Sequence, residues 1–138
     1  MSRADLLRRI GDVNDFSRPR PLVTVAEFFD GNDDPASIGY NLPDPQPPAA
    51  FAAVLTGIAG RPEVHDVRIE VKDLEDPDGW PATDSVWIIT RAPVDTVRGW
   101  FPAPLAPDEL GVSASGQGGA VEPIDVPAGH SAVVAFWD

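Results

Sequence analysis

His65 and His130 are the side chains best suited to proton transfer or metal ligation in this 138-residue chain, which contains no cysteine. A catalytic zinc centre usually takes three protein ligands, and no H-E-x-x-H spacing is present. Both histidines flank expected strands, so they read as surface or strand-end residues. Ser85, Ser113, Ser115 and Ser131 lack the G-x-S-x-G context that activates a nucleophilic serine. The glycines of 115–120 are followed neither by Lys-Ser/Thr nor by a helix, so they make no phosphate cradle. Asp30, Asn32 and Asp34 have the spacing of the first half of a calcium loop. Pro35 stands where that loop needs glycine, however, and Asn41 where it needs a bidentate glutamate. Without cysteine, thiol catalysis, iron–sulfur clusters and disulfides are excluded. The expectation is no catalytic residue, no metal and no cofactor.

The charge is more informative. The formal net charge is −12, and residues 1–22 carry five arginines against three aspartates, leaving −14 for the remainder. Binding nucleic acid through phosphates needs clustered basic side chains, and the balance here is opposite. A basic protein is the electrostatically natural partner. No apolar run reaches the roughly 18–20 residues of a membrane span, and the first ten residues lack a secretory signal, so a cytoplasmic location is expected.

The elements that must position any site centre on 64–91. Val67, Ile69 and Val71 alternate with charged neighbours, the period of a half-buried strand. Val86 and Ile88 oppose Trp87 and Ile89, which suits a strand covered on both faces. Between them lies a proline- and glycine-punctuated loop longer than a tight hairpin needs. Eight acids between Glu63 and Asp84 face only Arg68 and Lys72, and Trp80 sits among them. Trp80 reads either as a lid over the core or as an exposed anchor for a partner. Trp80, Asp73, Glu75, Asp76 and Asp78 are therefore the candidate partner-binding residues. A competing site would place a small-molecule pocket near the 30–41 loop, lined by Asp33, Asp34, Tyr40, Asn41 and His65.

Ser2 and Asp5 write a capping pattern for a short helix over 3–11, followed by a proline-rich linker at 14–21. Residues 22–29 cluster β-branched side chains and favour a strand, although Thr24-x-x-Glu27 also writes a capping box. Phe51, Val54, Leu55 and Ile58 make one helical stripe, stopped by Gly60, Arg61 and Pro62. A shorter helix follows Pro93, a single turn is expected at 107–110, and 112–119 is flexible by composition. Residues 131–137 form a final buried strand. Residues 1–21 thus read as a short helix and linker, and 22–138 as one α+β domain. Its antiparallel sheet carries helices on one face, in the ferredoxin-like order βαββαβ.

Residues 27–42, EFFDGNDDPASIGYNL, and 78–90, DGWPATDSVWIIT, carry a resemblance. With their FFxGNDDxxSIGxNL and WPxxDxVxIIT patterns, they resemble a group of small, acidic, largely uncharacterised bacterial domains. Some domains of that kind look like immunity proteins, which bind and neutralise a cognate toxin. The resemblance brings no catalytic residues with it. Three functional classes follow: an acidic protein-binding module, a small-molecule binder or enzyme near the 30–41 loop, and a homo-oligomeric structural protein such as a homodimer.

Overall fold

A computed structural model describes residues 2–113 and 121–137. The fold is α+β, with five strands in an antiparallel sheet ordered β1-β2-β3-β5-β4. These are β1 (Leu22–Thr24), β2 (Val64–Glu70), β3 (Ser85–Thr90), β4 (Glu109–Val112) and β5 (Ser131–Phe136). The helices are α1 (Arg3–Ile10), α2 (Val25–Phe29), α3 (Pro48–Ala59) and α4 (Val94–Arg98), and a single 3-10 turn covers Ala103–Leu105.

All six residues of β3 are buried, as a strand apolar on both faces requires. Val86 and Ile88 point into the main core with Val67, Ile69, Val71, Val133 and Ala135. Every helix contributes to this same core, through Leu6 and Ile10, Phe28 and Phe29, Phe51, Leu55 and Ile58, and Val97. The opposite face carries Leu22, Trp87, Ile89 and Ala132. None of the described helices adds a side chain to this cluster; Val121, Ile124 and Val126 from the segment before β5 pack there instead.

Three local expectations are corrected. Residues 22–29 are not one strand, because the chain changes state at Thr24. Thr24 Oγ1 accepts from Glu27 N at 3.0 Å, and Glu27 Oε1 accepts from Thr24 N at 2.9 Å. This reciprocal box satisfies two otherwise orphaned donors and turns the chain into α2. At 109–112 the expected helical turn is a strand, since the free edge of β5 supplies backbone partners from Glu109 to Val112. Finally, the ferredoxin-like order does not appear. That order interleaves strands through crossovers, whereas here α2 and α3 return the chain so that β2 lies antiparallel beside β1. Most of the 112–119 segment lies outside the described residues.

The α1 helix has its expected box: Ser2 N donates to Asp5 Oδ2 at 2.9 Å, and Asp5 N donates to Ser2 Oγ at 3.2 Å. Leu6 and Ile10 are buried, so this helix docks on the sheet domain. No helix among the described residues is long and apolar enough to cross a membrane.

Candidate functional site

An acidic surface is built where two loops meet at one end of the β2–β3 hairpin. In the first loop, Gly31 adopts φ 81° and lets the chain turn out of α2. Buried Asn32 then organises the turn: its Oδ1 accepts from Asp34 N at 2.9 Å, and its Nδ2 donates to Ser37 Oγ at 3.0 Å. Ile38 leaves the turn bridged to Thr83. In the second loop, Asp76 Oδ1 accepts from Asp78 N at 3.0 Å, the self-capped turn that Asp favours. Asp34 joins the two, because its Oδ2 accepts from Trp80 N at 3.0 Å. Arg3 of α1 clasps the same loop, donating to the carbonyls of Pro77 and Gly79.

Glu75, Asp76 and Asp78 are exposed on this surface, as is Asp33, while Asp34 is half-buried between the loops. Among the described residues, none of Glu75, Asp76, Asp78 and Asp33 forms an ion pair. Three other acids of the hairpin do: Asp66 with Arg68 at 2.8 Å, Glu70 with Arg20 at 2.8 Å and Asp84 with Lys72 at 3.7 Å. The uncompensated charge therefore collects on the two loops.

Two of the five expected partner-binding residues are not presented outward. Trp80 is 9% exposed and packs in the main core, so it closes the hydrophobic interior and does not project as an anchor. Its apolar ring gains more from that core than from solvent, and burial leaves its Nε1 without a hydrogen-bond partner among the described residues. Asp73 is half-buried, with Oδ1 turned inward and likewise unpartnered. Asp73 and Ala82 pair as an isolated bridge, extending the hairpin ladder.

The five residues proposed around a small-molecule pocket do not converge. Asp33 and Asp34 belong to the acidic surface, and Tyr40 and Asn41 are exposed beyond Gly39. His65 lies at the other end of β2, where the register slips between Val64 and Asp66. There its Nε2 is 3.2 Å from Asp125 Oδ2, and its ring meets that of His130 edge-on with centroids 6.0 Å apart. His130 Nδ1 lies 3.1 Å from Ala128 O. Among the described residues, no three His, Cys, Asp or Glu side chains are placed to hold a metal ion.

A cleft of about 440 Å³ was not foreseen. It lies between the linker at 12–21, with Ile10 at the end of α1, and the face of the sheet opposite the main core. Its floor is Glu70, which is 8% exposed. Glu70 Oε1 accepts from Trp87 Nε1 at 2.8 Å, and Oε2 accepts from Arg20 Nη1 at 2.8 Å. The signal in the sequence was the arginine-rich N-terminal segment within an otherwise acidic chain, although its partners lie far away in the sequence.

Beside the cleft, Arg9 Nη2 donates to Glu122 Oε1 at 2.8 Å, and Leu22 N donates to the same oxygen at 2.9 Å. The Arg9 hydrogen bond is the main reason the Glu122 carboxyl lies below its usual pKa of 4.5, with burial pulling the other way. The same bond raises the Arg9 pKa. A lowered carboxyl stabilises the fold above its unfolded pKa and loses that contribution as pH falls through the folded value. Glu122→Gln is therefore expected to cost about 1 kcal/mol near neutrality, a modest value because both side chains are about one-third exposed. The gap between wild type and variant in urea denaturation should close on acidification below a pH of about 4.

Residues 1–135 match the model of a family described as the uncharacterized protein YfbO family. A relative from Escherichia coli (strain K12), described as uncharacterized protein YfbO, is 38% identical over 130 residues, covering 93% of this chain and 90% of the relative. No solved structure matches. The chain belongs to the YfbO family.

Proposed function

We propose that this chain is a non-enzymatic acidic binding module of the immunity type, whose two-loop face covers a basic protein partner. The observation that carries this reading is the bond from Trp80 N to Asp34 Oδ2, which holds both acidic loops as one surface. With Trp80 in the core and Arg3 gripping the loop carbonyls, the carboxylates of Glu75, Asp76 and Asp78 are held outward with no ion-pair partner among the described residues. A surface fixed before binding loses little conformational entropy on association, and an unneutralised patch steers a cationic partner towards it. The residues behind the resemblance to immunity-like domains support the same reading. Asn32, Asp34, Ser37 and Trp80 build the loops; they do not bring reactive groups together.

The test is affinity capture at low salt of the product of an adjacent gene in the native host, using wild type and the Asp76→Lys/Asp78→Lys double variant. The wild type should retain a basic protein that is released as salt rises, because screening weakens exposed charge pairs. The double variant should lose it while keeping the native fold, both side chains being exposed, with only a small drop in melting temperature from loss of the Asp76 turn cap. Equal capture by both proteins would remove the acidic face from the mechanism.

A further inference from the structure

The cleft between the linker and the sheet face opposite the main core has the ingredients of a small-ligand site, separate from the acidic loops. Its volume, about 440 Å³, lies within the range usual for such sites. Its apolar walls are Trp87 and Val121 on the sheet side and Phe16 on the linker side. Phe16 is 72% exposed, the highest value among the exposed large hydrophobic side chains of the described residues. An aromatic ring held in water beside a cleft is a surface that a planar ligand would cover.

The polar groups select the ligand's charge. Three carboxylates line the cleft, and each accepts hydrogen bonds while keeping its charge, so an anion can be held only where a guanidinium has donors to spare. Glu70 accepts from Trp87 and Arg20. Asp12 Oδ1 accepts from Asn14 N at 3.1 Å, and Asp15 Oδ1 accepts from Ser17 N at 3.1 Å and Ser17 Oγ at 2.6 Å. The aspartates thus serve the turns of their own linker. Arg18, by contrast, has no ion pair within 4.0 Å among the described residues, and its charge reaches Asp15 and Glu122 only at longer range. Its guanidinium rests against Gly11, with one long 3.5 Å contact to Asp12 O. Arg20 stands beside it, with one guanidinium nitrogen bound to Glu70 and its side chain 40% exposed.

We propose that this cleft binds a small aromatic carboxylate, with the ring between Phe16 and Trp87 and the carboxylate on Arg18 and the free edge of Arg20. A guanidinium fork matches a carboxylate through two parallel hydrogen bonds, which neither an amine nor a neutral arene can reproduce. The chain's net charge of −12 opposes any anion at long range, so the apolar body is needed and a bare inorganic anion is not retained.

The experiment is a titration of the intact chain with phenylacetate, followed by ¹H–¹⁵N NMR at the Trp87 indole N–H. Benzylamine and inorganic phosphate serve as controls. Phenylacetate should shift the Trp87 signal saturably, with a Kd on the order of 1 mM or tighter, while both controls leave it in place. Arg18→Gln and Phe16→Ala should each weaken binding by about tenfold or more. Both residues are exposed, and an unchanged melting temperature and spectrum will show that the fold is kept. No saturable shift up to tens of millimolar phenylacetate, an equal response to benzylamine, or undiminished binding by Arg18→Gln would each overturn the proposal.

Discussion

Gly39→Ala is expected to destabilise the protein by about 2–4 kcal/mol, read from urea denaturation with an unchanged m-value. Gly39 has φ 63°, where an L side chain costs roughly 1–2 kcal/mol. The larger share is steric. A Cβ at this position would lie 2.5 Å from Phe51 Cζ, 3.0 Å from Phe51 Cε2 and 3.1 Å from Leu42 Cδ1. Phe51 cannot retreat easily, because it is buried on α3 and packs edge-on against Trp137 with centroids 5.7 Å apart. Gly31→Ala separates the two contributions. Gly31 has φ 81°, yet nothing lies within 4 Å of its virtual Cβ. That variant should show the backbone cost alone, about 1 kcal/mol. Equal losses at the two glycines would mean that Gly39 and Phe51 are not in contact as described.

Glu70→Ala is expected to cost about 3–4 kcal/mol, because it removes the acceptor from a buried indole N–H and leaves Arg20 without its counter-ion. Most of this loss belongs to the Trp87 side, where Glu70 Oε1 is the partner of Nε1. Arg20 is part-exposed and water can solvate it, which limits its share. Glu70→Gln keeps an amide oxygen for the indole and should cost only about 1 kcal/mol. The order of the two variants in chemical denaturation is the check; similar losses would contradict the bond to Trp87. In Glu70→Ala the Trp87 indole N–H should also exchange faster with solvent.

These two sites show which parts of the fold can be read from residues and which cannot. Val67, Ile69 and Val71 announce β2, and Val86–Ile89 announces an inner strand, because burial on one face or two writes itself into local periodicity. The Ser2/Asp5 and Thr24/Glu27 boxes are equally local, spanning four residues each. Glu70, however, has the parity of a solvent-facing residue. It does point away from the helices, but that second face is covered by a segment more than fifty residues later in the chain. Arg20 meets Glu70 across 50 residues and Arg9 meets Glu122 across 113, and no local pattern encodes such pairings. The β4 strand is invisible for the same reason. Glu109–Val112 lacks alternation and is extended because β5 has a free edge.

The acidic site was legible in part. The exposed carboxylates of Glu75, Asp76 and Asp78 follow directly from a charge-dense loop. The inward placement of Asp73 does not, since it depends on ladder pairing between elements, whereas Trp80 takes the first of its two readings, a lid over the core. Nor does the joining of the 30–34 turn to this loop through Asp34, which turns two candidate regions into one surface. The two histidines lie at strand ends, as their position beside strand-like segments implies, but their meeting beside Asp125 is a consequence of topology.

An NMR footprint with the captured basic partner tests most directly the proposal that the two acidic loops are the working surface. Perturbed amides should cluster at 30–34 and 75–79, and the affected set should shrink as salt is raised. A footprint confined to the His65–His130 end of the sheet or to the β4 edge, with the acidic loops unchanged, would contradict the account.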